Sequence, residues 1–157
     1  MSKYNVAVVG ATGAVGEALL EILAERNFPI NELYPLASER SAGKTVMFNN
    51  KPLIVGNLAE FDFSKAQIGL FSAGGKVSAE FAPKAGEAGC IVIDNTSHFR
   101  YDEDIPLVVP EVNPDKIADY TNRNIIANPN CSTIQMLVAL NPIHAAVGIK
   151  RISVATY

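Results

Sequence analysis

Tyr4-Asn5-Val6-Ala7-Val8-Val9-Gly10-Ala11-Thr12-Gly13-Ala14-Val15-Gly16 is the stretch that decides the fold. Its first half is a β-branched run suited to a strand buried on both faces, as in the middle of a parallel sheet. The strand stops at Gly10. A helix is predicted from about Ala14 to Arg26, with Val15, Leu19, Leu20, Ile22 and Leu23 on one stripe. Between them the glycines stand as G-x-x-G-x-x-G, a variant of the usual dinucleotide spacing. They permit a tight turn and let the backbone approach a pyrophosphate resting on the positive helix end. An ordinary strand-to-helix turn can also carry glycines, but here strand and helix flank them on both sides.

Outward from this unit the pattern repeats. A strand predicted over Glu32 to Ala37 runs into Ser38-Glu39-Arg40-Ser41-Ala42-Gly43-Lys44, where an NAD-binding fold would place an acid on the ribose. Arg40 stands there instead. Its guanidinium suits the bidentate geometry of a 2′-phosphate, and Ser38 and Ser41 can add hydrogen bonds, which points to NADP. Glu39 keeps open the alternative of an unphosphorylated ribose. Thr45 to Phe48 and Pro52 to Val55 are expected to form a hairpin around Asn49-Asn50-Lys51. Further strands are expected at Ile68 to Phe71 and Cys90 to Ile93, with a helix over Ser78 to Ala88 between them. The result is an α/β chain with a mostly parallel, doubly wound sheet of Rossmann type. Turns at the carboxyl ends of such strands collect ligands, so Ser72 to Gly75 is a second candidate cofactor contact.

Two stretches carry further chemistry. Asp94-Asn95-Thr96-Ser97-His98-Phe99-Arg100 gathers polar groups and one cation at a strand end. Arg100 could hold a phosphate or carboxylate, or simply pair with Asp102 or Glu103. Leu107 to Asn113 leads into a short helix near Pro114 to Asp119. Then Asn124 to Ala127 reads as a short strand, Asn128-Pro129-Asn130 as a breaker, and Ser132 to Val147 as a helix. Cys131 therefore sits at a helix start, where free N–H groups and the helix dipole favour the thiolate, the reactive form. A lone cysteine is more often a small buried hydrophobe, as expected of Cys90 in its apolar run. The polar, strand-breaking context makes Cys131 the candidate nucleophile. Arg151 to Tyr157 reads as a strand cut off in mid-course.

Composition narrows the classes. With 157 residues, 48% hydrophobic, the chain suits one well-cored domain. A net charge of -3 without any basic block gives no reason to expect nucleic acid or an anionic membrane. Two cysteines cannot form a disulfide framework, no metal set is evident, and no apolar signal region opens the chain, so a cytoplasmic setting and small-molecule partners are expected.

Gly10 to Gly16, Ser38 to Gly43, Asp94 to Arg100 and above all Asn128-Pro129-Asn130-Cys131-Ser132-Thr133 together resemble the aspartate-semialdehyde dehydrogenase family. The resemblance runs in order along essentially the whole chain. It implies an oxidoreductase that uses NADP for reversible reductive dephosphorylation of L-aspartyl 4-phosphate to the semialdehyde, in lysine, threonine, methionine and diaminopimelate biosynthesis. Carried over by position, Thr12, Gly13, Ala14 and Val15 would contact the pyrophosphate and Arg40 and Ser41 the 2′-phosphate. Arg100 would hold the substrate phosphate and Cys131 would be acylated, with Ser72, Gly74 and Asn95 as secondary contacts.

Family members are roughly twice as long. Residues 1–131 would then be the dinucleotide-binding domain, and 132–157 would lead into a substrate and dimerisation domain that is largely absent. That domain carries the family's acid/base histidine and carboxylate-binding arginine, and a glutamine expected just beyond Tyr157 is missing too. His98 and His144 occupy neither catalytic position. The 157 residues are thus expected to bind cofactor without turnover, and to be monomeric or weakly associated where the family forms homodimers or tetramers. Two rivals remain open. One is N-acetyl-gamma-glutamyl-phosphate reductase, which frames its cysteine differently, and the other is a non-catalytic NADP-binding module.

Overall fold

The computed structural model describes residues 2–155. Strand β1 (Tyr4–Val9) enters the centre of the molecule, and Val6, Ala7, Val8 and Val9 are each 0% exposed. Alternate residues serve opposite layers: Val6 and Val8 pack with Leu20, Val46 and Val55, while Ala7 and Val9 pack with Phe71, Ala82 and Val92. A strand with no solvent face must have neighbours on both sides and cover on both faces, which is why its sequence is a continuous apolar run.

The neighbours follow in chain order. After β1 come α1 (Ala14–Glu25), β2 (Ile30–Ala37), the hairpin β3 (Thr45–Phe48) and β4 (Lys51–Ile54), then β5 (Gly56–Asn57). The chain returns through β6 (Ile68–Phe71), α2 (Gly75–Glu87), β7 (Ile91–Asp94), β8 (Ile125–Ala127) and α3 (Cys131–Val147). The main sheet has the order β5-β2-β1-β6-β7-β8 with every pairing parallel. The winding therefore reverses between β1 and β6, and the crevice outside their carboxyl ends is where an open α/β sheet receives ligands. The hairpin forms a separate antiparallel pair on the α1 side.

Several boundaries differ from the sequence expectation. Helix α2 begins at Gly75 instead of Ser78, because Gly74 at φ +97 turns the chain and its carbonyl accepts from the N–H groups of Val77 and Ser78. The run Leu107 to Asn113 contributes a single parallel bridge, Leu107 to Ala127, and then a 3-10 helix over Pro114–Asn122. The strand expected over Arg151 to Tyr157 is corrected: residues 151–155 form none, since among the described residues no strand pairs with them to supply its hydrogen bonds, and 156–157 lie outside the described residues. No helix among the described residues is long and apolar enough to cross a membrane.

Helix α1 lies tight against the turn that precedes it. A Cβ on Gly16 would fall 2.1 Å from the Gly10 carbonyl oxygen and 2.8 Å from the Ala11 Cα. Both obstacles are backbone and cannot swing away, so Gly16→Ala is expected to destabilise the fold by about 1–3 kcal/mol or more in urea unfolding. An unchanged midpoint would contradict this account of the glycine spacing.

Candidate functional site

At the switch point the backbone is closely knit. The Ser72 N–H and hydroxyl both donate to the Val9 carbonyl, at 2.9 and 3.1 Å. Gly10 adopts φ +92, a conformation that side chains disfavour, and its N–H and that of Ala11 both donate to the Leu36 carbonyl. The Gly13 N–H donates to Gly10, and Gly13 is the residue before the first turn of α1, with no side chain capping it. The free N–H groups of that turn are those a helix leaves without an internal partner, and they are available to an anion.

A cleft of about 540 Å³ opens over this turn. It brings together Gly10, Thr12, Gly13, Ser38, Arg40, Ser41 and Ser72, drawn from three strand ends. Ala14 and Val15 form the start of α1, and Gly74 caps α2, so these three stand beside the cleft and do not line it. Glu39 lines the cleft alongside Arg40. Ser41 is buried, and the Lys44 ammonium lies 3.5 Å from its hydroxyl, which adds a second cation to the Arg40 end. Lys44 was not singled out by the sequence pattern, where it read as one more surface lysine. Asn57, Leu58, Val77 and Phe81 also line the cleft, and only the fold could assign them, because they come from unrelated segments.

The second cluster forms at the ends of β7 and β8. Arg100 does not pair with Asp102, which instead meets Arg123 at 3.3 Å. Its Nε donates to the Asn128 carbonyl at 3.0 Å and its Nη2 to the Asn95 carbonyl at 3.2 Å, while the Asn128 amide donates to Asn95 Oδ1. The guanidinium thus bridges the two strand ends and keeps further N–H donors for an anion. Three residues after Asn128, Cys131 opens α3 and is exposed. The helix starts one residue earlier than expected because Asn130 is its N-cap, its Oδ1 accepting from the Ser132 N–H at 3.0 Å and from the Ser132 hydroxyl. With Ser132 satisfied, the N–H groups of Cys131 and Thr133 are the ones no intrahelical carbonyl reaches. Val15, at the start of α1 beside the cleft, lines one groove with Ile93, Asn95 and Asn128 of the second cluster.

Residues 5–120 match the family described as semialdehyde dehydrogenase, NAD binding domain. The chain belongs to that family. It is 69% identical over 155 residues to aspartate-semialdehyde dehydrogenase 2 of Vibrio cholerae, covering 99% of this chain and 46% of that protein. The crystal structure of aspartate semialdehyde dehydrogenase II from Vibrio cholerae complexed with ASA superposes with a TM-score of 0.93 over 96% of this chain and 49% of that one. The Candida albicans aspartate semialdehyde dehydrogenase with NADP gives a TM-score of 0.76 at 27% identity, over 94% and 48%. This member of the semialdehyde dehydrogenase family therefore spans about half the length of the relatives it matches.

The two cysteines of this family member differ sharply. Cys90 is buried in the α2-side core, and burial pushes its thiol up to about 12 from the ordinary 9.0. Between those values the unfolded chain gives up a proton that the folded chain keeps, so Cys90 lowers stability as pH rises across that window. Native protein treated with iodoacetamide near neutral pH should label at Cys131, with Cys90 reacting only after unfolding. Peptide mass spectrometry showing Cys90 labelled first would overturn both assignments.

Proposed function

We propose that the chain is the nucleotide-binding and cysteine-bearing part of an NADP-dependent aspartate-semialdehyde dehydrogenase. Such an enzyme interconverts L-aspartyl 4-phosphate and L-aspartate 4-semialdehyde in amino-acid biosynthesis. The observation that carries this reading is the placement of an exposed cysteine at a capped helix start, tied through Asn128 to a guanidinium free of any carboxylate partner among the described residues. The relatives' names and the semialdehyde complex support it.

The residues fit a dinucleotide. The Gly10 turn and the uncapped start of α1 offer N–H groups to a pyrophosphate, and Ser38, Arg40, Ser41 and Lys44 cluster where a 2′-phosphate needs cations and hydroxyls. Bound there, NADP supplies or takes up the hydride. The Cys131 thiolate attacks the acyl carbon, the carbon–oxygen bond to phosphate breaks, and a thioester remains on the sulfur. Arg100 holds the phosphoryl group and offsets its charge as it leaves, with Asn95 beside it. The N–H groups of Cys131 and Thr133 are the donors for the oxyanion. Hydride added to the thioester carbon would push its carbonyl electrons onto oxygen, and collapse of that thiohemiacetal oxyanion re-forms the carbonyl, expels the Cys131 sulfur as thiolate and releases the aldehyde.

Proton transfer in this scheme does not fall to either histidine. His144 lies roughly 20 Å further along α3 by helical rise, and its Nδ1 accepts from the Ile149 N–H at 3.0 Å. His98 packs edge-on against Phe99. These 157 residues alone are accordingly assigned binding and acylation, without sustained turnover. The dinucleotide-binding part ends at Cys131 on this reading, and residues 132–157 lead into a substrate domain, in keeping with the lack of any buried residue in α3.

Cofactor choice gives the direct test. Calorimetry should show tighter binding of NADP(H) than of NAD(H), with most of the difference removed by Arg40→Ala. Equal affinities, or a preference unchanged in the variant, would reject the phosphate reading and favour Glu39 on an unphosphorylated ribose.

A further inference from the structure

Asp94 is the only buried carboxylate among the described residues, at 0% exposure, and no ion pair to it is formed among them. A buried carboxylate is costly unless its oxygens are hydrogen-bonded. Here Oδ1 accepts from the Ser78 hydroxyl at 2.7 Å and the Thr96 N–H at 3.1 Å, and Oδ2 accepts from the Thr96 hydroxyl at 2.8 Å. Both hydroxyls donate to it. The Thr96 oxygen is left as an acceptor, and the His98 N–H donates to it at 3.3 Å. The Asp94 backbone carbonyl takes the Asn128 N–H at 2.8 Å, and Asn128 in turn holds Arg100 and Asn95.

We infer that Asp94 is a positioning residue for the anion-binding guanidinium: side chain and backbone together fix the turn from Asn95 to Arg100 against the strand end that leads to Cys131. The inference rests on the reading of Arg100 and Cys131 as one site. Asp94 touches neither sulfur nor substrate, and acts by setting where the Arg100 charge stands. A tie needed only for stability would leave that charge, and hence the local preference for anions, where it is once the protein has folded.

The experiment compares Cys131 alkylation by iodoacetate, which is anionic, with that by neutral iodoacetamide at low salt, read by peptide mass spectrometry. The ratio of the two rates cancels changes in the thiol's own reactivity. Arg100→Ala should lower the ratio roughly 3- to 10-fold, as loss of a local cation predicts. Asp94→Asn should lower it comparably while the protein still unfolds cooperatively. Thr96→Val, which keeps the carboxylate but removes the hydroxyl's bond to Asp94 Oδ2 and the one it accepts from the His98 N–H, should give a smaller fall and decides the matter if Asp94→Asn does not fold. A parental ratio in a folded Asp94→Asn, or in Thr96→Val where that variant must decide, overturns the inference while leaving the site reading intact. A parental ratio in Arg100→Ala removes the site reading and the inference with it.

Discussion

The close approach of Gly16 to the Gly10 carbonyl, too tight for any Cβ, sets the position of α1 and with it the working end of the molecule. Because β1 is buried on both faces, its direction is fixed by the sheet, and the turn after it has only the crevice beside β6 to enter. The helix must then start against that turn with its N–H groups facing outward. On the proposed reading, the pyrophosphate site rests on these backbone constraints before any polar side chain is considered. In that reading Ser38, Arg40 and Ser41, with Lys44 beside Ser41, would add discrimination at the neighbouring strand end.

The cysteine end is built differently. Its anchor is the Asn128 N–H bonded to the Asp94 carbonyl across β7 and β8, extended by Arg100 and Asn95 into a network whose polar atoms are shared between the two strand ends. Pro129 is buried and Asn130 caps α3, so the chain leaves the sheet in one direction and presents Cys131 outward. Parallel pairing places all these strand ends on the same edge of the sheet, which is how the start of α1 and the Asn95–Asn128 pair, from distant parts of the sequence, come to line one groove.

Much of this was legible in the sequence because the signals were local. A β-branched run before a glycine turn specifies a buried strand and the helix after it, and Asn-Pro-Asn before Cys131 specifies a break, though the cap that Asn130 forms emerges only in the structure. The short β5 and the lone bridge at Leu107 were not legible, since each depends on which strand lies alongside, and the early start of α2 depends on the left-handed turn at Gly74. Arg151 to Ser153 has the residues of a strand but no partner edge among the described residues, and propensity without a partner does not make a sheet. The same holds at the site. Arg100 beside Asp102 and Glu103 looks like a surface ion pair in one dimension, and only the fold turns it toward Asn128 and leaves Asp102 to Arg123. Asp94 read as one of several polar groups, and its burial is a property of α2 closing over β7.

Acyl transfer to the Cys131 sulfur, with Arg100 holding the phosphate, is the chemistry proposed for this end of the molecule. It is tested most directly by incubating the protein with an acyl phosphate and following phosphate release together with the mass of the protein. The account predicts a single acyl group on Cys131, released phosphate in equal amount, and a much slower reaction in Arg100→Ala. Acylation at another residue, or phosphate release that persists in Cys131→Ala, would contradict it.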